Sequence, residues 1–185
     1  MISTSDFSNG LYIYVDGKLY QIIWFQHHKP GKGGAIMRTK LRDVAGGAII
    51  ERTFRSGEKF ESPEVTRKSA TYLYSDPEYH YFLDSQTYEQ IQIPKGSIGY
   101  SEKFLVENME VLIVLADGKL IDVEMPATIE VEVEYTEPGV KGDTVTNVLK
   151  SAKLKNGLEV KVPLFINTGD KIKIDTRTGK YVERV

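Results

Sequence analysis

Over most of this chain apolar and polar residues alternate with a period of two, which marks strands that bury one face. Leu11-Tyr12-Ile13-Tyr14-Val15 is such a run, and it stops at Asp16-Gly17, a dipeptide suited to the two positive-φ positions of a tight hairpin turn. The partner strand follows as Leu19 to Phe25. The same device recurs as Val111 to Ala116, Asp117-Gly118, then Leu120 to Met125. Both turns read Asp-Gly-Lys-Leu, but their flanks do not match further, so this is repeated hairpin chemistry and not a duplicated domain. Further strands are expected at Ala35–Arg42, Ala48–Phe54, Ala70–Tyr74, His80–Leu83, Tyr88–Ile93, Thr128–Tyr135, Glu159–Pro163, Lys171–Asp175 and Lys180–Val185. One short helix is expected, with Ser101 as N-cap, Glu102 in the first turn, and Phe104, Leu105 and Val106 on its apolar side.

Many short strands separated by turn residues predict an all-β chain of barrels or sandwiches. Breaks fall near Ser62-Pro63-Glu64 and Met125-Pro126-Ala127, so three small β-barrel domains are expected, at residues 1–64, 65–126 and 127–185. A domain of that size buries a modest core and gains from docking on its neighbours.

Composition adds bounds. Of the 185 residues, 41% are hydrophobic and 27% charged, ordinary values for a folded globular chain. No apolar run approaches the ~20 residues that span a bilayer, and Ile2-Ser3-Thr4-Ser5-Asp6 offers no export signal, which points to the cytoplasm. There is no cysteine, hence no disulfide and no thiolate metal site. Net charge is −2, unevenly spread: residues 1–64 carry nine basic and seven acidic side chains, residues 65–126 five and ten, and residues 127–185 ten and nine. No carboxylate occurs between Asp16 and Asp43, while Lys18, Lys29, Lys32, Arg38, Lys40 and Arg42 lie inside. That window reads either as a positive field facing a polyanion or as a solvated strand face that lacks acids.

Inside it lies His27-His28-Lys29-Pro30-Gly31-Lys32-Gly33-Gly34-Ala35, placed between two strands. Pro30 stiffens the approach to the tip. Gly31, Gly33 and Gly34 remove side chains around Lys32, leaving one flexible, chemically extendable amine on a narrow stalk. A glycine-rich loop with solvating lysines is the plainer account. A phosphate-binding P-loop is excluded, because Gly-x-x-x-x-Gly-Lys-Ser/Thr does not occur and no helix follows.

Lys29-Pro30-Gly31-Lys32-Gly33 between two N-terminal strands resembles the modification loop of the bacterial elongation factor P family. The likeness continues in Thr71-Tyr72-Leu73-Tyr74, in Pro138-Gly139-Val140-Lys141-Gly142-Asp143-Thr144, in Val160-Lys161-Val162-Pro163-Leu164-Phe165, and in the stretch Gly169 to Tyr181. These motifs are collinear and span the chain. The resemblance implies an N-terminal SH3-like (KOW-type) barrel followed by two OB-folds in an L-shaped arrangement. It implies a non-enzymatic factor that binds the 70S ribosome between the peptidyl-tRNA and exit sites and relieves stalling at consecutive prolines. Lys32, in the loop Lys29 to Gly34, would approach the CCA end of peptidyl-tRNA after extension by a lysine-modifying enzyme. Gly142, Asp143 and Thr144 match a loop that approaches the exit-site mRNA codon, and Tyr181 and Arg184 match a C-terminal pair needed for activity. No cofactor or membrane is implied, and a monomer is expected.

Other constellations carry less. His27, His28 and His80 are the only histidines, and no nearby carboxylate completes a ligand set, so metal binding is not expected. Glu102, Glu107, Glu110, Asp117, Asp122 and Glu124 read as a solvated acidic face kept away from RNA. Asp143 has a plainer role in an Asx-turn, and Tyr181 as core packing. Most of the tyrosines alternate with apolar neighbours along strands, which favours packing over base stacking. Two other functions stay in view: a paralogue of the same three-domain plan that lacks the lysine loop, and a general single-strand nucleic-acid binding module built from OB-folds. A β-barrel hydrolase lacks any nucleophile–base pattern.

Overall fold

A computed structural model describes residues 1–139 and 148–185. They form an all-β structure that divides into two compact units. One comprises Met1–Arg67, Ile98–Tyr100 and Val114–Asp122, and the other Lys68–Ser97, Ser101–Ile113 and Val123–Val185.

The first unit contains β1 (Ile2–Ser3), β2 (Tyr12–Val15), β3 (Lys18–His28), β4 (Ile36–Asp43), β5 (Ile49–Arg55) and β6 (Lys59–Phe60). The order β2-β3-β4-β5 makes an antiparallel sheet, and β1 pairs with β6. The Asp16-Gly17 turn takes the expected shape, with φ of +51° and +79° and Val15 opposite Lys18. Ile13, Val15, Ile22, Met37, Leu41, Phe54 and Phe60 form the core with Phe7. Phe7, Phe54 and Phe60 close one end, their ring centroids 4.6–6.4 Å apart. These rings bury large apolar areas, the main favourable term in a core this small.

A register shift interrupts β3 between Ile22 and Trp24. Unbroken alternation from Tyr20 and Ile22, both buried, would have sent Trp24 inward as well. The extra residue, Ile23, turns the pattern over, so Trp24 pairs with Lys40 on the outer face while Phe25 pairs with the buried Thr39.

Segments distant in sequence complete this unit. Tyr12, Val44 and Val114 form a second buried cluster, with Leu19, Val65 and Ile121 against it. A Cβ on Gly47 would stand 2.0 Å from the Tyr100 ring, and one on Gly99 2.7 Å from the Val44 carbonyl, so only glycine permits this approach. Two charges depart from expectation here. Arg42 shares the outer face of β4 with Arg38 and Lys40 but is covered there by Asp122 and Gln21, and Asp122 belongs to no solvated face; Arg42 Nη2 lies 2.9 Å from Asp122 Oδ2, and both residues are buried.

The second unit takes in β7 (Val65–Ser75) from Lys68 on, β8 (Tyr79–Asp84), β9 (Gln90–Pro94), β10 (Glu110–Ala116) as far as Ile113, the last two residues of β11 (Lys119–Glu124), β12 (Thr128–Thr136), β13 (Leu149–Leu154), β14 (Glu159–Pro163), β15 (Lys171–Asp175) and β16 (Tyr181–Arg184). The strand orders are β11-β10-β7-β8-β9 and β14-β13-β12-β15-β16. Alternate residues are buried along β8 (His80, Phe82, Asp84) and β12 (Ile129, Val131, Val133). The expected helix at Ser101 is a 3-10 segment over Gly99–Phe104, with Ser101 buried inside it and not capping it. Glu102 is not part of a solvated face either: its Oε1 lies 2.7 Å from Nε2 of the buried His80, whose Nδ1 lies 3.2 Å from the Tyr72 hydroxyl. Burial alone would raise the Glu102 carboxyl, but the His80 and Gly96 hydrogen bonds outweigh it and leave it below its ordinary value. Strand β13 was not foreseen, since only Ala152 and Leu154 are buried along it and three of its neighbours are lysine or serine. Among the described residues no helix is long and apolar enough to cross a membrane.

Candidate functional site

The β3–β4 hairpin outruns the core of its own barrel. Burial fades along β3 after Ile22, and Gln26, His27 and His28 are all exposed. Pairing nevertheless continues to His28 opposite Ile36, and β5 follows as far as Arg55 opposite Ile36. A third strand alongside stiffens this extension, because backbone pairing holds where packing has stopped.

Lys29 to Ala35 closes the hairpin, and Lys29, Gly31, Lys32, Gly33 and Gly34 are all exposed. Neither Lys29 nor Lys32 has a salt bridge or hydrogen bond among the described residues. A Cβ built on Gly31, Gly33 or Gly34 meets nothing within 4 Å. Gly33 alone has a backbone reason to be glycine, with φ +98°, a region where an L side chain is strained. The other two simply leave room around the lysine. The result is an exposed lysine with no partner among the described residues and open space at the glycines on either side.

Behind the tip, directly opposed strand residues share a face. Trp24, Lys40 and Glu51 align, then Gln26, Arg38 and Thr53, then His28, Ile36 and Arg55. Trp24 is exposed, and Lys40 Nζ lies 5.6 Å from its ring centroid. Lys40, Arg38 and Arg55 therefore form a cationic track on one sheet face leading towards Lys32. Of the acid-free window, Arg38 and Lys40 are exposed on this face, while Arg42 is buried. Trp24 was missed in the sequence, because only the bulge at Ile23 places it on this track. His27 lies on the opposite face, where Nε2 is 3.3 Å from Ser56 Oγ. Among the described residues no group of three or more histidines and carboxylates could hold a metal ion.

At the other end of the chain, Tyr181 and Arg184 both lie on β16, opposite Ile174 and Ile172, with a register shift between them. Arg184 spans Phe165 and Asp170: its Cζ stands 5.3 Å from the Phe165 ring centroid, and its Nη1 3.9 Å from Asp170 Oδ2. Phe165 is 56% exposed, so the pair presents an arginine stacked on an open aromatic ring. Burial raises the Tyr181 hydroxyl, and nearby Arg184 partly offsets this. In the sequence Phe165 follows Pro163-Leu164 and resembles one more core position. Gly142, Asp143 and Thr144 lie outside the described residues.

Three family models match. The elongation factor P KOW-like domain covers residues 3–60, the elongation factor P OB domain residues 65–123, and the model described as elongation factor P, C-terminal, residues 129–184. A protein of Endomicrobium trichonymphae described as elongation factor P is 53% identical over 184 residues, spanning 100% of both chains. Its counterpart in Caldanaerobacter subterraneus subsp. tengcongensis is 50% identical over 185 residues, again across 100% of both. A solved structure of translation initiation factor 5A from Methanococcus jannaschii aligns with 26% identity and a TM-score of 0.42, covering 66% of this chain and 94% of its own.

Proposed function

The chain belongs to the elongation factor P family of translation elongation factors, and we propose that within that role it acts by carrying Lys32 to the CCA end of peptidyl-tRNA. In this reading it binds the 70S ribosome between the peptidyl-tRNA and exit sites, stimulates peptide-bond formation and relieves stalling at consecutive prolines. The observation that supports it is Lys32, without a partner among the described residues, at a glycine-flanked tip held beyond the core by paired strands. Proline is a conformationally restricted substrate, so peptidyl-tRNA carrying it drifts from attack geometry. A cation placed on the CCA backbone restores orientation, and orientation alone contributes several kcal/mol to such a step. The factor itself makes no bond, so it is not an enzyme.

The remaining assignments follow the same reading. Residues 1–64, 65–126 and 127–185 are its three domains. Arg38, Lys40 and Arg55 meet tRNA phosphates along the track behind Lys32. Gly142, Asp143 and Thr144 approach the exit-site codon, and Tyr181 with Arg184 makes a second RNA contact. A modifying enzyme extends Lys32, which needs the open space that the flanking glycines leave.

The test is translation of a consecutive-proline reporter with the Lys32→Ala variant, alongside intact-mass measurement of the protein from its native cells. Relief of stalling is lost in the variant, and the native protein carries added mass at Lys32. Undiminished relief by Lys32→Ala overturns the reading.

A further inference from the structure

Three hairpin loops of this chain are built alike. In Asp43–Ala48, Asp84–Glu89 and Asp175–Lys180, the aspartate N–H donates to the carbonyl five residues on, at 2.8, 2.9 and 2.9 Å. Its own carbonyl accepts from the N–H four residues on, at 2.7, 2.9 and 2.8 Å. Its Oδ1 accepts from the backbone N–H two residues on: Ala45 at 3.0 Å, Gln86 at 2.8 Å and Arg177 at 2.7 Å. The residue four beyond the aspartate must take a positive φ for the loop to close. In two of the loops it is glycine, Gly47 at +80° and Gly179 at +73°. In the third it is Tyr88, at +59°.

A bulky aromatic residue in this region is strained relative to glycine, because its Cβ crowds the neighbouring carbonyl. Among the described residues no side-chain contact of Tyr88 offsets that strain. Tyr88 is 75% exposed, more than any other large aromatic residue described. Its side chain makes no hydrogen bond or ring contact among the described residues. The loop is otherwise secure: Asp84 is buried, and its Oδ2 lies 3.3 Å from Lys68 Nζ. A strained, exposed tyrosine on a rigid turn has the properties of an anchor held for a partner.

We infer that Tyr88 is an intermolecular contact, a ring that inserts into a pocket on a basic protein surface of the ribosome. The partner's class follows from charge. In the unit that carries Tyr88, residues 68–97 and 101–113 hold seven acidic side chains against three basic ones, a field that repels a phosphate backbone and suits a cationic protein face. Beside Tyr88 in the loop, Ser85, Gln86 and Thr87 are polar and exposed and Glu89 is an exposed carboxylate, as expected at the rim of a contact with a basic protein face. The inference rests on the ribosome binding proposed above.

It makes stability and binding move in opposite directions. Tyr88→Gly relieves the strain and raises Tm by a few degrees, yet weakens binding to purified 70S ribosomes at least about fivefold, as loss of an anchor does. Tyr88→Phe keeps the ring and the strained backbone, so it binds within about twofold of wild type with no gain in Tm. A photo-crosslinking phenylalanine analogue in place of Tyr88 attaches to a ribosomal protein, at a segment rich in lysine and arginine. Three results overturn the inference alone: Tyr88→Gly binding as tightly as wild type, a Tm that fails to rise, or crosslinks that map to RNA. Wild-type protein that does not bind ribosomes overturns it together with the proposed function.

Discussion

Arg42 Nη2 lies 2.9 Å from Asp122 Oδ2 across 80 residues of sequence, with the two side chains 9% and 0% exposed. The same carboxylate oxygen accepts from the Tyr12 hydroxyl at 2.8 Å, and the same guanidinium nitrogen donates to Gln21 Oε1 at 2.7 Å. Each buried polar atom here is satisfied by another, so the cost of removing a member depends on what it leaves behind. Asp122→Ala strands a buried guanidinium and destabilises by about 3–5 kcal/mol. Tyr12→Phe removes one hydrogen bond of several and costs about 1 kcal/mol. The double replacement Arg42→Met with Asp122→Leu removes both charges and recovers most of the Asp122→Ala loss. Urea unfolding of the four proteins measures this. A double variant as unstable as Asp122→Ala contradicts the account, because desolvated charge would then not be the source of the loss.

Arg38, Lys40 and Arg42 are near neighbours on one strand with opposite consequences. All three lie on the outer face of β4, where Arg38 and Lys40 are exposed while Arg42 is covered by Gln21 and Asp122 and is buried. If the outer face meets tRNA phosphates, Arg38→Ala and Lys40→Ala each weaken ribosome binding. Each also reduces the slope of log affinity against log salt by about 0.7–1. Their stability changes by no more than about 0.5 kcal/mol, as for other exposed positions. Arg42→Ala should instead lose stability and leave the salt slope alone. Ribosome binding titrated at several salt concentrations separates the two classes, and an unchanged slope in Arg38→Ala and Lys40→Ala removes phosphate contact from the outer face.

What could be read in the sequence was what local pattern encodes. Asp16-Gly17 and Asp117-Gly118 take positive φ at all four positions, because the turn chemistry resides in the dipeptide itself. Lys32 was visible for a similar reason, since glycine on both sides of one lysine is a compositional fact. The Arg42–Asp122 pair was not visible, because each residue alone looks like one more charge on an alternating strand. Their meeting depends on contacts that close only in three dimensions. Trp24 was hidden by a single inserted residue, Ile23, which reverses inside and outside without altering the alternation on either side. Strand β13 was hidden by its lysines, and Phe165 by its resemblance to core. Tyr88 reads in sequence as the start of a strand; only its φ and the two sister loops with glycine mark it out.

The Asp84 loop also fixes how stability responds to acid. Backbone N–H groups of Gln86 and Thr87, and then Lys68, hold the Asp84 carboxyl below its ordinary value of 3.8. A carboxylate lowered in the folded state binds its proton more readily when unfolded, so acid favours unfolding. The stabilisation is complete above the unfolded value and disappears as pH falls through the lower, folded one. Asp84→Asn keeps an oxygen that can accept from Gln86 and Thr87 but loses the charge. It should therefore be less stable than wild type at neutral pH, with the gap narrowing below about pH 4 as the wild-type carboxylate takes up its proton. Other depressed carboxylates, such as Asp76 beneath the Tyr81 hydroxyl, are common to both proteins and cancel in the difference. Urea midpoints of the two proteins at neutral pH and at about pH 3 measure the gap. A gap of equal size at both would mean that the Asp84 loop is held by its geometry and not by its charge.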